Sequence, residues 1–265
     1  MMGYRFANNC RFFLSYSWYT YLALFSWLSP QTYLVLKILA PITQVLFFTL
    51  LGRATGGDPS YYVIGNATQL AATSGIFGII QVFVTERRMG TLPHLMMTPT
   101  NSAVTLYARG LFLIFDGLTS VFAGLIVGVV FFGLTFPHVS VAYVLIALLV
   151  TSFSVSALGL VLGVMGLIGT DLNLLLNIAL AVLLVICGVE FPVTDLPVPI
   201  QAISQLLPLT HGLIAVRAAF AGRVVDVFTP LVWEFIVGLG YLILGYVLFS
   251  YVERLSRAHA TLELQ

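Results

Sequence analysis

At 265 residues, 60% of them hydrophobic and 8% charged with a net charge of +1, the chain has far too little polar surface for a water-soluble domain, where about 25% charged residues is usual. Its apolar runs are continuous and several approach the roughly 20 residues that cross a bilayer, which argues against the alternating strands of a membrane β-barrel. The composition therefore predicts an all-α polytopic membrane protein. The two cysteines, Cys10 and Cys187, are expected to be free thiols, and the start of the chain has no clean apolar core followed by a small-residue cleavage site.

Residues 1–30 read as a cytoplasmic tail and an interfacial helix. From Arg11 to Leu28 the chain is rich in Trp, Tyr, Phe and Ser, rings with polar edges that favour the headgroup zone, and Ser29-Pro30 breaks the run. Six spans follow, at about 31–51, 60–84, 104–133, 139–168, 171–191 and 229–250. An even number places both termini on one side. With that side taken as the cytoplasm, Arg5, Arg11, Lys37, Arg87, Arg88, Arg109, Arg254 and Arg257 lie inside and Arg53, Arg217 and Arg223 outside, in keeping with the excess of Lys and Arg in cytoplasmic loops.

Between the second and third spans lies a polar island, residues 85–103. Glu86, Arg87 and Arg88 carry the second helix into water, and Gly90 is a helix stop. Thr91 can cap a short new helix with Pro93 in its first turn. Leu92, Leu95 and Met96 share one face at i, i+3, i+4 spacing, and Thr98-Pro99 ends it. The residues alone fit either a small cytoplasmic helix with an apolar Leu/Met face or an ordinary cytoplasmic loop that obeys the positive-inside rule. The small residues of the fourth span, Ser152, Ser154, Ser156, Ala157, Gly159, Gly163 and Gly166, favour close helix packing.

Before the last span, residues 192–228 are apolar but interrupted by prolines. Thr194 or Asp195 can cap a short helix entered through Pro197, and Pro208 ends it. Thr210 can cap a second half-helix running from His211 through Arg217 to Ala221, with Gly222 closing it. Each half is too short to cross, so two re-entrant helices in the outer leaflet are expected. Charged residues inside a span default to functional hypotheses. Asp116, near the middle of the third span, is therefore a candidate for a translocation path or an interface between subunits, the alternative being a bond to a Ser, Thr or Tyr of a neighbouring helix, whereas Glu190 and Glu234, near the outer interface, are given structural roles.

The sequence resembles the permease subunits of ABC-2 type ATP-binding-cassette exporters. The resemblance rests on Glu86-x-x-x-Gly90-Thr91-Leu92-x-x-Leu95-x-x-Thr98-Pro99. It extends to the block from Asn177 through Gly188, Pro192, Leu196-Pro197, Leu207-Pro208, Thr210-His211, Arg217 and Gly222, and more weakly to Pro41, Phe47 and Gly52 in the first span. It covers essentially all of residues 1–265, read as a single transmembrane domain. It implies six spans, the N-terminal interfacial helix, a coupling helix and the two re-entrant half-helices. It further implies that residues 91–98 dock on an ATPase, with Glu86, Arg87 and Arg88 steering that contact. The partners implied are two ATP-binding-cassette subunits that hold ATP and Mg, a second permease copy or close homologue, membrane lipid and an amphipathic substrate, with no nucleic acid. The location implied is the inner or plasma membrane.

The chain has one lysine, Lys37 in LVLKILA, and no GxxxxGK[ST] loop before it, so ATP would have to be hydrolysed by a separate subunit. No cofactor, metal site or catalytic residue is expected on this chain; HExxH, CxxC and GxSxG are absent. The function implied is ATP-driven export, first of drug- or antibiotic-like compounds, as in efflux and antibiotic resistance, second of lipid-linked glycans, third of peptides. The rival readings are an ion- or proton-coupled secondary transporter that uses Asp116, and a membrane scaffold that transports nothing.

Overall fold

A computed structural model describes residue 31 and residues 35–91, 102–167 and 171–259, omitting the side chains of 36–37, 102–104, 108–114, 116 and 256–259. The expected interfacial helix of residues 11–28 and the expected coupling-helix positions Leu92, Leu95, Met96, Thr98 and Pro99 lie outside the described residues. Among the described residues, every regular element is helical. A π-helical turn, Val35–Leu39, leads into α1, Ala40–Ala54. Then come α2, Pro59–Arg88, α3, Ser102–Phe132, α4, Val141–Leu167, and α5, Leu172–Ile186. A 3₁₀ turn, Val193–Asp195, precedes two short helices, α6, Val198–Leu206, and α7, Thr210–Phe220, and the chain closes with α8, Val224–His259.

The caps follow local chemistry. Asp58 accepts from the Ser60 N–H, with Pro59 in the first turn of α2, and Asp171 accepts from the N–H groups of Asn173 and Leu174 at the start of α5. The expected fifth span, 171–191, is shorter in the structure because its helix ends at Ile186 and residues 187–190 form a turn. At about 1.5 Å per residue, its 15 residues fall short of a ~30 Å hydrocarbon core. The last helix is longer than expected and carries Pro230 within it. By length and apolarity, α2, α4 and α8 can each cross a membrane, and the bent pair α6–α7 raises the number to four at most among the described residues.

α2 is the centre of the bundle. It packs on α3, α4 and α1, while α8 lies across α4 and α7. Its most apolar stretch is 83% buried, against 17% for that of α8. The small residues Ser152, Ser156, Ala157 and Gly159 on α4 are all buried, which lets that helix lie close to α2. Phe83 of α2 and Phe249 of α8 meet edge to face at 6.3 Å within the main core. The turns then gather at two ends. Residues 53–58, 188–197 and 222–226 lie at one, and residues 86–91, Gly166 and Leu167 at the other, as the contacts of Arg217 with Tyr61 and of Arg87 with Gly166 require.

Candidate functional site

At the Arg87 end, α2 stops because Gly90 adopts the left-handed conformation, φ +66°, which a side chain disfavours. The N–H of Thr91 donates to the Glu86 carbonyl at 3.1 Å and that of Gly90 to the Arg87 carbonyl at 3.2 Å, the double closure of a Schellman cap. The Thr91 hydroxyl also donates to the Glu86 carboxylate at 2.5 Å. Glu86 thus pins the start of the loop to its own helix. Arg87 donates from Nη1 to the Gly166 carbonyl at 3.0 Å. Its guanidinium therefore grips the end of α4, an internal strut that the spacing of the polar island gave no sign of. Arg88 is exposed.

The half-helices form a hairpin bent by 84°. Two sequence expectations are corrected here. Neither Thr194 nor Asp195 caps α6; the N-cap is Pro197, with no side-chain bond. Thr210 is the first residue of α7 rather than its cap, and its hydroxyl donates to the Ser204 carbonyl across the bend at 2.7 Å. The cap comes from α8. Glu234, fully buried, accepts from the Leu209 N–H through Oε1 and from the Gly212 N–H through Oε2, each at 2.8 Å. A carboxylate facing the first N–H groups of a helix is held by charge-assisted bonds and by the helix dipole. It also fixes Leu209, whose φ of +96° is costly for a residue with a side chain. His211 is less embedded, its Nε2 lying 3.2 Å from the Gln205 carbonyl and its ring stacked on Trp233.

At the Asp58 end, Arg217 of α7 reaches under the turn after α5. It donates to the carbonyls of Gly188 at 2.9 Å, Val189 at 3.2 Å and Tyr61 at 3.3 Å, and its guanidinium lies 3.5 Å from the centre of the Tyr61 ring. The Tyr61 hydroxyl also donates to the Gly188 carbonyl at 2.9 Å. Pro208 ends α6 two residues before α7 begins, and its carbonyl faces the buried Cys187 thiol.

Between α1, α2 and α5 lies an open cleft of about 720 Å³. It is mainly apolar, with Thr43, Gln44, Gln69 and Thr73 among its walls and Leu180 and Leu184 facing them from α5. From this wall Gln44 donates to the Asn66 side-chain oxygen at 3.3 Å, and Asn66 donates to Glu190 at 3.0 Å and to the Tyr62 carbonyl. An apolar cavity with a few polar groups suits an amphipathic ligand. The sequence reading did not single out these amides. The signal was available, because Asn66, Gln69 and Thr73 recur at i, i+3, i+7 on one face of an otherwise apolar helix. Asp116 is placed midway along α3, but its side chain lies outside what is described. Among the described residues, no group of three or more His, Cys, Asp or Glu side chains is arranged to hold a metal ion.

No curated protein matches the chain. A family model described as "ABC-2 type transporter" matches residues 22–221, a stretch that takes in α1 to α7, the cleft, the Arg87 end and the half-helix hairpin. On this match, over most of the chain, the protein belongs to the ABC-2 type transporter family.

Proposed function

We propose that this chain is the permease subunit of an ATP-driven exporter. Two copies, or one copy and a close homologue, enclose a path, and two separate ATP-binding-cassette subunits bind ATP and Mg and hydrolyse the nucleotide. The family match over residues 22–221 carries this reading. The pinned loop start at Glu86 and Thr91 and the apolar cleft beside α2 support it. In this reading the protein has six spans with both termini in the cytoplasm, the fifth made by α5 together with the turn that follows it, residues 91–98 form the coupling helix, and the hairpin of α6 and α7 sits in the outer leaflet.

ATP binding draws the two ATPase subunits together and pushes residues 91–98. Arg87 passes that push to the end of α4 through its bond to Gly166, while α2 moves as the helix to which the loop is joined. The bundle re-angles and an amphipathic substrate leaves on the outer side. Drug- or antibiotic-like compounds are the first substrate class proposed, and lipid-linked glycans the second.

The test is co-purification in mild detergent from native membranes. An ATP-binding-cassette ATPase is expected to accompany the wild-type chain and to be lost from the Glu86→Ala, Leu95→Asp double variant. Recovery of the wild-type chain without any ATPase, in a preparation that stays folded and monodisperse, rejects the exporter reading.

A further inference from the structure

The turn of residues 187–190 is attached to the bundle almost wholly by side chains. Its carbonyls at Gly188 and Val189 take their bonds from Arg217 and Tyr61, and Glu190 takes one from Asn66. Close approach makes this possible. A Cβ at Gly65 would run into the Val189 carbonyl, so only a glycine there lets the turn lie against α2. Three elements are thereby tied at one point, namely the start of α2, the end of α5 and the half-helix α7.

This knot roofs the cleft. Asn66 stands one helical turn toward the Asp58 end from Gln69, and Gly188 stands one turn beyond Leu184, both of which line the cleft, while Gln44 bonds to Asn66 from the cleft wall. The bonds run in one direction, from the Gln44 amide N–H to the Asn66 oxygen and from the Asn66 amide N–H to the Glu190 carboxylate. Turning the Asn66 amide over would set its nitrogen against that of Gln44 and its oxygen against two acceptors, so the chain has a single consistent sense. Gln44 itself is a cleft wall. A polar group that enters the cleft and takes the Gln44 amide therefore competes with the bond that leads to the turn.

We propose that the Arg217–Tyr61–Gly188 knot is a releasable latch that closes the cleft at the Asp58 end, and that the Gln44–Asn66–Glu190 chain reports the contents of the cleft to it. Side-chain bonds can be exchanged without unfolding a helix, which suits a closure that must open and re-form. Release would let the end of α5 and the turn swing from α2 while Glu234 keeps α7 fixed to α8. The role assigned to the cleft rests on the transport reading, but the latch does not need that reading to be tested.

The experiment is a pulsed spin-label distance measurement in lipid nanodiscs, with no nucleotide, ATPase or substrate present. Cys10 and Cys187 are replaced by alanine, and labels are placed at the exposed positions Arg53 and Thr194. The latched protein is expected to give one dominant distance. Arg217→Gln and Gln44→Leu are each expected to raise a second, longer population several-fold. Thr43→Val, which loses a cleft hydroxyl bonded only within its own helix, to the Leu39 carbonyl, is expected to leave the distribution unchanged. If Arg217→Gln does not yield a folded protein, Arg217→Lys keeps the charge but loses the fork of donors and is measured in its place. A distribution unchanged from the wild type in the folded Arg217 variant overturns the latch. A longer population with the Arg217 variant but not with Gln44→Leu overturns the link to the cleft. Failure of the transport reading would be seen in the co-purification and would leave these distances as they are.

Discussion

A single carboxylate on the last helix decides how the half-helix hairpin is held. Glu234 is fully buried, yet each of its oxygens meets a backbone N–H at 2.8 Å, which offsets the cost of taking it out of water. In Glu234→Gln the amide oxygen can meet one of these groups, but the amide nitrogen then faces the other. A loss of about 1–3 kcal/mol is expected for the unmet donor, read as a lower thermal unfolding midpoint in detergent; an unchanged midpoint would show that the cap is not needed. The sequence placed Glu234 near a helix end and gave it a structural role, but it could not name the partner. The partner is backbone, 22 and 25 residues earlier in the chain, and no side-chain pattern announces a bare N–H. Thr210 was the more obvious cap by type; the bend sends its hydroxyl to the Ser204 carbonyl instead.

At the scale of elements, the long helices were legible and the short ones only in outline. Continuous apolar runs mark α2, α3 and α4 well, because burial of whole faces fixes them regardless of detail. The end of α5 was misjudged. Residues 187–191 hold Gly188 and Glu190; Gly188 at φ +84° stops the helix just past its C-cap, and the knot on Gly188 and Val189 then ties the turn down. Gly65 tests that contact from the other side. Gly65→Ala forces α2 and the turn apart or strains both, with an expected cost of about 1–3 kcal/mol; the same variant should raise the longer spin-label distance. Arg87 makes a different prediction. Its bond to the Gly166 carbonyl makes it a strut, so Arg87→Gln is expected to lower stability by about 0.5–1.5 kcal/mol while the ATPase still co-purifies. Loss of the ATPase from a folded Arg87→Gln protein would move Arg87 from strut to docking contact.

The whole molecule has two polar ends joined by apolar helices. Gly56 and Met89 are exposed and lie beyond opposite ends of α2, a helix of 30 residues or about 45 Å. Single cysteines at these two positions, with Cys10 and Cys187 replaced, are therefore expected to react with a membrane-impermeant maleimide from opposite sides. In the proposed orientation only the one at Gly56 reacts in intact cells. Reaction of both from one side would mean that α2 does not cross. This two-ended plan, and membership of the ABC-2 type transporter family, were readable from composition, charge placement and the Glu86 to Pro99 motif. The cleft was not, since its third wall, α5, comes from far along the chain, Leu180 lying 111 residues beyond Gln69, and its amides are few among many apolar residues.

The unequal burial of α2 and α8 has a physical consequence for how the protein meets its membrane. The most apolar stretch of α8 is only 17% buried, and Phe228, Trp233, Ile243 and Tyr251 are spread outward along it. The central α2 is enclosed by other helices and is shielded from the acyl chains. A change in bilayer thickness, which a helix answers by tilting or bending, is therefore felt first by α8. Because Glu234 ties α8 to the bend of the half-helix hairpin, the acyl-chain length of the surrounding lipid becomes a mechanical input to that hairpin.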